Sequence, residues 1–208
     1  MRVKSEAKRQ AILDVAREAF TRQGFETTSM SAIASAVGGS KATLYNHFSS
    51  KEALFEAVML EFGRHMHIAD AFSELNDQVE QVPQLHQAEL APQLQRLGEH
   101  YLRFMLHPEV MALRTVVLHE AARSQVGRSY YALGPEKGWK LFSQFLQCQQ
   151  ARLACDDPWI CAMHFKGLLE AELIEPCSLG ARPIPAEDEL VQVVARAVRV
   201  FMTAYSRS

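Results

Sequence analysis

The sequence predicts an all-α protein, and three observations carry that prediction. Apolar residues recur at helical spacing through nearly the whole chain. Helix-start residues stand where helices need them, with Pro108, Pro135 and Pro158 at first helical positions. No apolar/polar alternation of the kind that marks a half-buried strand persists beyond a few residues. Of the 208 residues 48% are apolar, which is enough for a substantial core and argues against disorder.

The elements follow in order. In "SEAKRQAILDVAREAFTRQGF", Ile12, Val15, Ala16, Ala19 and Phe20 share one helix face, and Gly24 suits the helix end. "TTSMSAIASAVGG" is a short helix capped by Thr28 or Ser29, with Met30, Ile33, Ala34 and Val37 as its apolar face and Gly38 at its end. "SKATLYNHF" restarts at once. Ser49 and Glu52 form a capping box for a longer helix from about Ser50 to Phe72. The Gln-rich stretch from Leu75 to Pro92 reads as a loop. Helices are then expected near 92–106, 108–124, 134–155, 157–175 and 186–206, with Asp157 capping the fourth of these. "EPCSLGARPIP" separates the last two, and no repeat appears.

Net charge is only −2, but its distribution is uneven. Residues 1–50 hold seven Lys/Arg and four Asp/Glu, or +3, and the rest holds fifteen and twenty, or −5. A basic end on an acidic body is the asymmetry expected for an electrostatic partner. No apolar run approaches the ~18 residues of a membrane span. The N-terminus, interrupted by Asp14, Arg17 and Glu18, does not read as a signal peptide, so a cytoplasmic location is expected. Cys148, Cys155, Cys161 and Cys177 are then expected to be reduced; with no C-x-x-C pair, a zinc or thioredoxin-like reading finds no support.

Three N-terminal helices of about 18, eight and seven residues, the last two joined by a glycine turn, have the layout of a helix-turn-helix. Ile33, Ala34, Val37, Leu44 and Phe48 would pack the pair onto the first helix, leaving Ser40, Lys41, Thr43 and Asn46 outward. Lysine donates to guanine acceptors, asparagine pairs with adenine edges, and threonine meets base edges or the thymine methyl. Ser40 stands at a helix N-terminus, where backbone N–H groups favour phosphate. Tyr45, His47 and Lys51 carry donors suited to phosphate positioning.

Residues 24–59, "GFETTSMSAIASAVGGSKATLYNHFSSKEALFEAVM", resemble the DNA-binding segment of TetR-family transcriptional regulators. The shared pattern I-A-x-x-x-G-x-S-K-x-T-L-Y-x-H-F-x-S-K-E-x-L is long and specific. The resemblance implies an N-terminal DNA head over residues 1–50 and a helical effector-binding and dimerisation domain over 51–208, linked by the helix of about 50–72. It implies a homodimer that binds a double-stranded operator and a small, mainly apolar effector, with no cofactor, metal or membrane. It places DNA contacts at Thr28, Lys41, Thr43, Tyr45, Asn46, His47 and Lys51. One departure is Gly39, where the family often carries an apolar residue such as valine. Residues 100–147 resemble the ligand-binding half of the AefR-like subgroup.

The effector residues are less specific. Phe62, Met66, Phe104, Met105, Met111, Trp139, Phe142, Phe145, Met163 and Phe165 line either a cavity or the core, and such stripes default to core. The pocket set taken from them, with Val116, is Phe62, Met66, Phe104, Met105, Trp139, Phe142 and Met163. His119 and Glu120 join it as the polar pair, or else face solvent or form a buried hydrogen bond. His65 and His67, two apart on a helix, point about 200° from each other and cannot chelate one ion together. The last two helices carry wide apolar faces that pack within the chain or, as the resemblance suggests, form a four-helix dimer interface through Trp159, Met163, Leu190, Val194, Val198 and Phe201. The alternative to a regulator is a helical enzyme or interaction module, but no nucleophile–base, phosphate-loop or paired-carboxylate motif stands at a recognisable spacing.

Overall fold

The computed structural model describes residues 2–65, 72, 87–122 and 124–207. Among them the chain forms helices only, apart from an isolated antiparallel bridge between Leu153 and Ser206. The helices are α1 (Arg2–Gln23), α2 (Met30–Ala36), α3 (Lys41–His47), α4 (Lys51–His65), α5 (Gln87–Met105), α6 (Pro108–Glu120), α7 (Val126–Leu133), α8 (Pro135–Cys148), α9 (Pro158–Glu170), α10 (Ile174–Ser178) and α11 (Glu187–Tyr205).

They group into two compact units, Met1–His65 with Pro108–Gly134, and Met66–His107 with Pro135–Ser208. In the first, α1 packs on α2, α4 and α6, and α7 packs on α4 and α6. Phe20, Phe25 and Phe55 form its aromatic centre, with ring centroids 5.1 to 5.6 Å apart. In the second, α11 packs on α5 and α9, and α8 packs on α9. A chain of ring contacts runs from Phe72 through Trp139, Phe142, Phe165 and Phe201 to Tyr205 at centroid distances of 4.9 to 5.7 Å. Gly98 allows α5 this close approach: a Cβ there would lie 2.6 Å from Val194 and 2.8 Å from Leu169 side-chain carbons.

Several sequence expectations are corrected. Ser50, not Ser49, caps α4, its Oγ accepting from Ala53 N at 3.1 Å. Pro92 lies inside α5 rather than ending a loop. Leu90, Leu94 and Leu97 on one face of that helix are all buried, so tertiary packing outweighs the hydrogen bond that proline removes. The helix α7 and the short α10 lie in stretches read as connections. Apart from Phe72, the expected loop up to residue 86 and the end of the linking helix lie outside the described residues. Cys155 and Cys161 are joined as a disulfide, contrary to four reduced thiols. The loop after α8 folds back onto the first turn of α9 and brings them together, which a spacing of six does not reveal.

Candidate DNA-binding interface

The site is built from the end of α1 onward. Gly24 adopts φ 85°, a left-handed conformation that closes α1 and that glycine tolerates without strain. Ser29 caps α2, accepting from Ala32 N at 3.1 Å. At the other end of α2, Gly39 N donates to Ala34 O at 2.9 Å and Gly38 N to Ser35 O at 3.0 Å. That bond pair is the Schellman motif, and it needs the left-handed residue that Gly38 supplies at φ 66°. Gly39 is different. It has no left-handed φ, and a Cβ there would sit 3.7 Å from Lys8 Cε and Nζ, an ordinary contact. The departure from the family pattern therefore leaves the turn intact.

The cap of the recognition segment α3 is Ser40. Its Oγ accepts from Thr43 N at 3.1 Å and lies 2.9 Å from Thr43 Oγ1. Leu44 and Phe48 are buried and fix the inner face, with Arg9 stacked over the Phe48 ring at 5.5 Å. The outer face carries Ser40, Lys41, Tyr45 and Asn46, exposed, with Thr43 and His47 half-buried. Lys41 Nζ lies 5.8 Å from the Tyr45 ring centroid, one turn along. The structure thus brings six of the expected contact residues together on one short helix, a shape the major groove admits.

Two expected contacts also bond to carbonyl groups inside the protein. Thr28 is only 2% exposed, and its hydroxyl donates to Gly24 O at 2.7 Å and Ala19 O at 3.3 Å, tying the end of α1 to the start of α2. Lys51 Nζ donates to Phe25 O at 2.8 Å and Glu26 O at 3.3 Å and sits 4.3 Å from the Phe25 ring centroid. A further residue, Lys8, was not foreseen: its Nζ donates to Val37 O at 2.9 Å, at the carbonyl end of α2. The signal was present, because Lys8 continues the buried Ile12, Ala16, Phe20 stripe by one four-residue step. Lys8 and Lys51 therefore brace the turns on either side of α2.

The expected effector residues are divided between the units. Phe62, Val116, His119 and Glu120 belong to the first, and Phe104, Met105, Trp139, Phe142 and Met163 to the second; Met66 lies outside the described residues. Trp139 and Phe142 are links in the aromatic core. His119 is largely exposed, whereas Glu120 is buried. The expected dimer residues Leu190, Val194, Val198 and Phe201 are all buried within their own chain, so α11's apolar face is used by intrachain packing. Trp159 and Met163 are half-buried.

A capped two-helix unit with a polar, donor-rich outer face defines a helix-turn-helix DNA-binding protein. Residues 12–58 match the family of bacterial regulatory proteins named tetR, and residues 92–207 match the AefR-like transcriptional repressor C-terminal domain. The chain belongs to the TetR family of DNA-binding transcriptional regulators. The regulator UidR of Escherichia coli is 44% identical over 61 residues, a stretch covering 29% of this chain and 31% of that protein. The likeness to that curated relative thus spans less than a third of its length. Two solved structures are similar over almost the whole chain. One, from Mesorhizobium loti and assigned to the TetR family, has a TM-score of 0.81 at 25% identity, covering 98% of each chain. The other, the flavonoid-responsive regulator FrrA, has a TM-score of 0.73 at 30% identity, covering 97% of this chain and 98% of that one. No helix among the described residues is long and apolar enough to cross a membrane.

Proposed function

We propose that the protein is a homodimeric repressor that leaves its operator when a small aromatic effector binds. The observation that carries the DNA half of this reading is the outer face of α3, set by the Gly38 turn and the Ser40 cap. In it Lys41, Thr43 and Asn46 face base edges, while Ser40, Tyr45 and His47 contact phosphates. Residues 1–50 act as the head, and the helix that begins at Lys51 links it to the effector and dimerisation region.

The dimer forms through the outer faces of α9 and α11. Their inner faces are filled within the chain, but Ile160 is 46% exposed, Val200 is 50% exposed, and a Cβ on Gly167 would meet nothing within 4 Å. These residues offer an apolar surface with room for a second helix pair. A two-fold dimer sets two α3 helices in successive major grooves about 34 Å apart, so the operator is a near-palindrome.

FrrA is named as responsive to flavonoids, and its likeness along the whole chain supports a planar aromatic effector here. The effector acts by preferring a conformation in which the two recognition helices no longer match the groove spacing. Electrophoretic mobility shift with DNA flanking the protein's own gene tests the operator reading. Adding a flavonoid to the complex tests the effector. Operator affinity unchanged at saturating ligand would refute the latter.

A further inference from the structure

The buried face of α6 consists of Val110, Leu113, Val117 and Glu120. Their spacing of three, four and three places them on one stripe, whose fourth member is an acid where the pattern calls for an apolar residue. Glu120 is 1% exposed. Its Oε1 lies 3.0 Å from Nδ1 of His119, whose own side chain is 61% exposed. Its Oε2 is buried with no hydrogen-bond partner, and no lysine or arginine pairs with the carboxylate among the described residues.

The backbone around it is fixed. Ser124 N and Oγ both donate to Glu120 O, at 2.9 and 3.3 Å, and Ser124 Oγ accepts from Val126 N at 3.3 Å. The carboxylate therefore belongs to a capped helix end, and its Oε2 is the oxygen without a partner. A carboxylate oxygen only accepts, and leaving it unmade inside a protein is costly. Buried groups left in this state call for an explanation, and a ligand that supplies the donor is one.

We infer that Glu120 is the polar anchor of the effector site: its free Oε2 accepts a hydrogen bond from a hydroxyl group on a neutral aromatic ligand. The His119 ring already lies against Oε1, so one neutral donor at Oε2 gives each carboxylate oxygen a partner. An O–H donor to a carboxylate forms a short charge-assisted bond without bringing charge of its own. This inference rests on the aromatic-effector reading above and adds to it the group that the site recognises.

The test uses the full-length protein and calorimetric titration with three probes: a polyhydroxylated flavone, its fully O-methylated counterpart, and an aromatic quaternary ammonium ion. The wild type is expected to bind the hydroxylated flavone at least about tenfold more tightly than the methylated one. Glu120→Leu is expected to erase that preference by weakening only the hydroxylated probe. Because it removes a buried acid with one oxygen unpartnered, it should also raise the melting temperature of the ligand-free protein. Glu120→Gln keeps the shape and a neutral acceptor, and should give an intermediate preference.

A preference that survives Glu120→Leu overturns the assignment and leaves the effector reading standing. So does a wild type that binds both flavones equally. Tighter binding of the ammonium probe than of the hydroxylated flavone would make the anchor a cation site and overturn the hydroxyl assignment. If neither flavone binds to protein that still shifts its operator, the effector reading itself fails and the hydroxyl anchor fails with it.

Discussion

Replacing Lys51 with methionine separates two roles that the sequence alone cannot distinguish. As a phosphate contact, Lys51 would release counterions from DNA, and its loss would flatten the salt dependence of operator binding by about 0.9 per head. The structure instead ties its ammonium to Phe25 O at 2.8 Å and Glu26 O at 3.3 Å, over the Phe25 ring at 4.3 Å. A hydrogen bond to a charged group contributes roughly 1.5–3 kcal/mol, and a partly exposed cation–π contact adds about 0.5–1 kcal/mol. The second hydrogen bond is long and Lys51 is half-exposed, so about 2 kcal/mol is the reasonable total. For a chain of this size that corresponds to a melting temperature lower by roughly 4–8 °C. Operator affinity should then fall with an unchanged slope of log affinity against log salt. Thermal unfolding followed by circular dichroism and fluorescence anisotropy at several salt concentrations give both numbers. A reduced salt slope with an unaltered melting temperature would refute the bracing role and return Lys51 to the phosphate.

Further expectations concern the turn, the base contacts and the dimer. Gly38→Ala forces a side chain into φ 66° and should cost about 1–2 kcal/mol, whereas Gly39→Ala should be neutral or stabilise by about 0.4–1 kcal/mol; denaturant titration compares them. Lys41→Ala should cost about 1–3 kcal/mol of operator binding and relax preference at one or two base pairs, read from a set of single-base operator variants, with uniform weakening counting against base contact. Ile160→Asp combined with Val200→Asp should leave the fold intact, since both side chains are about half exposed, and convert dimer to monomer in sedimentation velocity. An unchanged dimer would place the interface elsewhere.

The helix-turn-helix was legible because its signals are local. A cap, a left-handed glycine and a stripe of apolar residues each depend on neighbours a few positions away, and Ser40, Gly38, Leu44 and Phe48 stand where those rules put them. The same locality explains the misses. The S-x-x-E spacing puts the cap of α4 at Ser49, and only the backbone path shows that it is Ser50. Pro92 reads as a break until three buried leucines show that packing holds the helix through it.

By itself, then, the sequence determined the all-helical fold and the side chains that α3 presents. Whatever depends on residues distant in the chain was decided by tertiary structure. Periodicity marks α11's apolar face as buried, but a hydrophobic stripe does not specify its partner, and the fold set Leu190, Val194, Val198 and Phe201 within their own chain. Lysine is a surface type on average, yet the path of the backbone gave Lys8 and Lys51 carbonyl groups 29 and 26 positions away to bond. Only the packed structure showed that Glu120 ends an apolar stripe with one oxygen unpartnered, since burial is a property of the assembled helices and not of any one of them.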